Sequence, residues 1–160
     1  CEAVLLLNEV VERVYHNTSI NSRERMANIW DSQEHTIVDL GDSALTRGRP
    51  HPMIDHRLRR ERILEDARDP EVAVILLDVV LGYGAHMDPA NVMVPVIEEA
   101  KRNAQGAGRH LHMVGSVCGT EGDPQNASRQ KAELESAGLM LGTSNADAVR
   151  IAAELVKGHG

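Results

Sequence analysis

A chain of 160 residues is one ordinary domain with room for a real core. Its formal net charge of -7 argues against a non-specific nucleic-acid surface, and no apolar run approaches the roughly 20 residues of a membrane-spanning helix. Nothing resembles a signal peptide, so a cytoplasmic location is expected, and Cys1 and Cys118 make neither a disulfide framework nor a zinc spacing.

Phe is absent, and Trp30, Tyr15 and Tyr83 are the only aromatic residues, so the core must be Val, Leu, Ile, Ala and Met. That composition disfavours base stacking as a mode of binding. The chain opens at Cys1 directly in a helical pattern with no cap before it. We expect a piece of a longer protein, with a strand upstream that leads into the first helix.

Val4, Leu7, Val11 and Val14 recur at helical spacing and predict an amphipathic helix ending near Tyr15. Asn17 to Ser22 reads as a loop, and Arg23 to Trp30 as a short helix or irregular chain. His35 to Gly41 reads as a strand. Pro50 and Pro52, flanking His51, forbid helix and make a stiff extended segment. Asp55 can cap a helix running to about Arg68. Arg57 with Glu61 and Arg62 with Asp66 pair at four-residue spacing, and the cluster Arg57, Arg59, Arg60, Arg62 reads as a solvated face.

The apolar run that opens at Val72, unbroken to Leu77 and interrupted before Leu81 only by Asp78, predicts a strand buried on both faces, as in a parallel sheet covered by helices. Asp88-Pro89 is a capping pair, although Pro95 leaves a later start near Val94-Pro95 open. Val92, Val96, Ala100 and Ala104 mark the buried side of that helix, which Gly106 and Gly108 end. His110 to Cys118 is a further strand. Asp123-Pro124 announces a helix to Gly138, Leu139 to Leu141 is a short strand, and Ser144 caps a final helix that Gly158 stops. The alternation predicts an α/β fold with a parallel sheet and helices on both faces.

Ligands of open α/β sheets bind outside the carboxyl ends of the strands, which directs attention to three loops. In the first, Asp78 can orient a cation, act as a base if desolvated, or simply accept backbone N–H bonds. Gly82, Tyr83 and Gly84 allow close backbone approach or a tight turn, and His86 can bind an anion or exchange a proton near neutral pH. In the second, Gly119 and Thr120 precede a helix where backbone N–H groups can hold an anion. Cys118 there is expected to be structural. In the third, Ser144 and Asn145 stand at a helix start, where capping explains both. His110 and His112 share a strand face without further ligands, so no metal site is expected.

Several stretches taken together resemble the FdrA family, which is related to the α subunit of succinyl-CoA synthetase. They are Cys1-Glu2-Ala3, Gly48-Arg49-Pro50-His51-Pro52-Met53-Ile54-Asp55, Asp69 to His86, Ser116 to Gln125, and Ser144-Asn145. The resemblance implies a three-layer, flavodoxin-like CoA-ligase domain, with a Rossmann-like CoA-binding domain upstream in the same protein. It implies assembly with that domain and with like or related subunits. CoA and a phosphate or carbamoyl-phosphate donor would be ligands of the whole protein, with no cofactor in this segment. Succinyl-CoA synthetases pass phosphate through a histidine in a Gly-His-Ala-Gly setting after the strand matching His110 to Cys118. The corresponding loop here, Cys118 to Asn126, has no histidine, and the supporting glutamate of that family aligns near Asp78.

Two functions of different class therefore stand. One is a domain of an acyl-CoA synthetase-like protein working in acyl or carbamoyl transfer, including a subunit of an oxamate carbamoyltransferase. In it Asp78 and His86 are the candidate catalytic residues, and Gly82, Tyr83, Gly84, Gly119, Thr120, Ser144 and Asn145 line the ligand. The other is a docking domain that has kept the fold for assembly. A receiver-like phospho-aspartate domain fits less well, because its acidic cluster and lysine are not in place.

Overall fold

The computed structural model describes residues 2–18 and 22–158. Cys1 and residues 19–21 of the expected loop lie outside them. The described elements are α1 (Glu2–Asn8), β1 (Val14–His16), a short 3-10 turn (Ser22–Glu24), β2 (His35–Ile37), α2 (Ser43–Thr46), α3 (Arg57–Asp66), β3 (Val74–Val80), α4 (Pro89–Gly106), β4 (His112–Cys118), α5 (Ala127–Ser136), β5 (Met140–Leu141) and α6 (Asn145–Lys157). All pairings are parallel, in the order β3-β4-β5 in one sheet and β1-β2 in another. The mixed α/β architecture expected from the alternation is present.

Register follows the apolar pattern. Val74 lies opposite His112, and the ladder runs without a break to Val80 opposite Cys118. Ile75, Leu77 and Val79 point to one face, where Met93, Val96, Ile97 and Ala100 of α4, Ile63 of α3 and Leu134 of α5 bury them. Fully burying such a side chain is worth about 1.5–3 kcal/mol, so this face carries most of the domain's stability. On the other face Val74, Leu76 and Val114 meet Ala148, Ala152 and Ile151 of α6. The expectation of a strand buried on both faces holds for its first half. Towards its carboxyl end the second face opens, and Asp78 is exposed.

The helix expected to end near Tyr15 stops at Asn8. Val14-Tyr15-His16 instead pairs with His35-Thr36-Ile37, and Val14 is fully buried. β-Branched and aromatic residues prefer the pleated surface, and strand pairing overrides a helical spacing that Val14 happened to satisfy. The His35–Gly41 strand is shorter than expected, ending at Ile37. Near it, Asn17 ties the chain down: its side chain donates to the Asp39 carbonyl at 2.8 Å and accepts from the Asp39 N–H at 2.7 Å.

The cap at Asp88 sets the start of α4 at Pro89 rather than near Val94-Pro95. Asp88 accepts the Asn91 N–H, and buried Gln130 reaches across from α5 to accept the Ala90 N–H at 2.7 Å and donate to Asp88 at 2.9 Å. Pro95 lies on the exposed side, while Met93, Val96 and Ile97 are buried. Their burial outweighs the roughly 3 kcal/mol an interior proline costs. The other corrected boundary is α5. Asn126, at φ 61°, is its cap and accepts the Arg129 N–H. Asp123 forms a turn instead, accepting the Thr120 N–H at 2.6 Å. Asn tolerates that left-handed conformation better than most residues.

Candidate functional site

The loops that leave β3 and β4 meet at one edge of the larger sheet. Leu81 N–H donates to the Cys118 carbonyl at 2.9 Å, extending the ladder one step beyond the strands. At Gly82 the chain turns away with φ 129°, a conformation that other residues adopt only with strain. Gln125, 1 % exposed, locks the two loops together. Its Oε1 accepts the Gly82 N–H at 3.1 Å, and its Nε2 donates to the Gly82 and His86 carbonyls at 2.7 and 3.1 Å.

A third segment joins them. The Pro50-His51-Pro52 stretch is not extended throughout as expected: the His51 carbonyl accepts the Ile54 N–H at 2.8 Å, and the resulting turn brings Met53 against the β3 loop, where its carbonyl accepts the His86 N–H at 2.8 Å. This places the start of α3 beside the end of β3. The Arg59 guanidinium donates to the Asp78 backbone carbonyl and, at 3.1 Å, to its carboxylate. The Arg59 side chain is 13 % exposed and that of Asp78 56 %. An ion pair half open to water contributes at most about 1 kcal/mol, so Asp78 can exchange for another anion at modest cost. Of the three roles considered for Asp78, the observed pairing with Arg59 matches the one that engages a cation.

His56, the residue before α3, is 4 % exposed, and neither of its ring nitrogens has a hydrogen-bond partner. Its ring centroid lies 5.4 Å from that of His86. Burial, and then the positive charge of Arg59, lower its pKa to about 4, so the ring is neutral at physiological pH. His86 accepts the Asp88 N–H on Nδ1 at 3.0 Å, which leaves Nε2 as the ring's donor nitrogen. Asp55 is engaged elsewhere: hydrogen bonds from the Arg57 guanidinium and backbone lower its pKa to about 2.

The structure thus brings Asp78, Gly82, Tyr83, Gly84 and His86 together with His56, Arg59 and Gln125. Tyr83 stands out from the loop at 89 % exposed. The second expected loop is adjacent, but the Thr120 N–H expected to hold an anion is occupied by Asp123. Ser144 and Asn145 follow β5, and their bonds lead away from this centre. Ser144 caps α6 through the Asp147 N–H at 3.1 Å, and Asn145 reaches Glu2 of α1. The arginine cluster of α3 is a solvated face only at Arg57 and Arg60, which are exposed. Arg62 is buried, bonded to Asp66, the Ile29 carbonyl and Ser32, and Arg59 belongs to the site. Arg57 pairs with Asp55 rather than Glu61.

Sequence reasoning missed His56, Arg59 and Gln125. Arg59 and Gln125 act on partners 19 and 43 residues away, which no local pattern shows. The spacing of His56 and Arg59, three apart at a helix start, was the available signal.

A CoA-ligase family model matches residues 1–155, nearly the whole chain. The chain belongs to the CoA-ligase family. It is also 41 % identical over 143 residues to the uncharacterized protein YahF of Escherichia coli strain K12, a match covering 89 % of this chain and 28 % of that protein. The chain thus spans about a quarter of the length of that curated relative. Membership gives the arrangement its context as an acyl-CoA synthetase-like domain. Among the described residues of this CoA-ligase domain, no helix is long and apolar enough to cross a membrane.

Proposed function

We propose that this CoA-ligase domain belongs to an FdrA-type protein and contributes to acyl or carbamoyl transfer without a phosphohistidine. The observation that supports this most directly is the convergence of Arg59, Asp78, His56 and His86 at the carboxyl edge of β3. There a guanidinium holds a half-exposed carboxylate that an incoming anion can replace, and two imidazoles lie together nearby. The arrangement suits holding and orienting an anionic donor group. In this reading the donor is an acyl or carbamoyl phosphate, CoA is held by another domain of the same protein, and the protein works as an oligomer in the cytoplasm. An oxamate carbamoyltransferase subunit is one form this activity can take. Assaying the full-length protein for turnover of acyl phosphates with CoA, and of carbamoyl phosphate with oxamate, tests the proposal. Absence of turnover with every donor, in protein that is folded and assembled, sinks it.

A docking role is favoured by a different observation. Ile54, Tyr83 and Met87 are 49, 89 and 60 % exposed and lie on the two segments joined at Met53 and His86. Large exposed apolar side chains in one place mark contact surfaces. If substituting Tyr83 and Met87 by Ser leaves assembly unchanged by light scattering, this second reading fails.

A further inference from the structure

A buried imidazole with both nitrogens unpaired is a cost that a fold carries for a reason. His56 is such a residue: its ring lies against that of His86 but makes no side-chain cap bond to α3. One helical turn on, Arg59 spends its guanidinium on the carbonyl and carboxylate of Asp78. Asp78 is largely open to water while Arg59 is not. The side chain most easily displaced from this cluster is therefore the carboxylate.

We infer that His56 and Arg59 form a binding pair for a small oxyanion, a phosphoryl or carboxyl group, which takes the place of the Asp78 carboxylate. The guanidinium fork matches two oxygens of either group, and the neutral His56 ring supplies an N–H donor to a third contact. Asp78 acts as an internal competitor that keeps Arg59 in position while the site is empty. The inference rests on reading this edge as the transfer site and names what that site recognises.

The test is calorimetric titration of the full-length protein with inorganic phosphate, acetate and oxamate in separate arms, each against a chloride control. Asp78→Asn removes the competing charge and is expected to tighten binding of the preferred anion about fivefold, a release of roughly 1 kcal/mol. Arg59→Gln is expected to abolish binding. His56→Gln, checked for folding by circular dichroism, is expected to weaken it several-fold. The arm that binds best separates phosphoryl from carboxyl recognition. Binding that Asp78→Asn leaves unchanged or weakens overturns the inference, as does binding that survives Arg59→Gln. The two proposals fail separately. Affinities that follow these side chains in a protein with no turnover remove the transfer function and keep the site. Turnover with affinities indifferent to all three removes the site alone.

Discussion

Acid should destabilise this protein through His56 in particular. The ring titrates at about 4 in the folded protein against 6.5 when free, because burial and the charge of Arg59 oppose its protonation. An unfolded chain therefore binds a proton there between those two pH values while the folded chain does not. The stabilising difference is complete above pH 6.5 and is lost as pH falls towards 4. At 1.36 kcal/mol per pH unit the loss amounts to about 3 kcal/mol. That is a large part of the roughly 5–15 kcal/mol that holds a typical domain folded. Urea unfolding midpoints measured from neutral pH down to 4 on the protein and on His56→Gln isolate the effect. Every other titrating group is common to both, so the difference between the curves belongs to His56. The wild-type curve should fall away from that of the variant as the medium is acidified. Curves that stay parallel would refute the description of His56 as a buried, neutral imidazole.

Gln125→Leu deletes three hydrogen bonds that tie the β3 and β4 loops, at about 1 kcal/mol each. We expect a loss of about 2–4 kcal/mol by denaturant titration and faster amide exchange at Gly82; unchanged exchange there would contradict the bridging role. Gly115→Val places a branched side chain whose Cβ would sit 2.9 Å from the Leu77 carbonyl and 3.0 Å from Leu139. Overpacking of that kind costs about 1–3 kcal/mol or more, and a melting temperature equal to the parent's would disprove the tight fit. Arg62→Met keeps the buried volume and removes the bonds to the Ile29 carbonyl, Ser32 and Asp66. The segment around Ile29 should become more susceptible to proteolysis, and equal cleavage rates would argue against that anchoring.

What the sequence made legible is uneven along the chain, for physical reasons. From β3 onward each element carries its own local signals. The Val72–Leu81 run is too apolar to face water on both sides, and Asp88 and Ser144 cap the helices that follow them as expected. The first 40 residues lack such signals. Val11 and Val14 fit a helix and a strand equally well until His35–Ile37 supplies the pairing partner. The site divides in the same way. Asp78, Gly82 and His86 are visible because they end an apolar run. His56, Arg59 and Gln125 are not, since their roles exist only once α3 and the β4 loop have folded against that end. Arg59 was misjudged because charge alternation along α3 looks the same whether a guanidinium meets water or a strand edge.

The chemistry available at this edge follows from what its side chains can accept. A covalent relay needs a nucleophile in the path of the transferred group. The Cys118–Asn126 loop offers no histidine, and the Thr120 hydroxyl is already bonded to Asp123 at 3.2 Å; Cys118, expected to be structural, is instead an exposed free thiol. The neighbouring His86 has its Nδ1 taken by the Asp88 N–H. In the proposed function the group would pass directly between two bound substrates, with Arg59 neutralising charge and the imidazoles donating hydrogen bonds. Incubating the full-length protein with acyl or carbamoyl phosphate and then removing the free donor should accordingly leave no stoichiometric phosphate or carbamoyl group on the chain by intact-mass measurement. A stable adduct on a residue of this domain, the exposed Cys118 thiol included, would overturn the direct route.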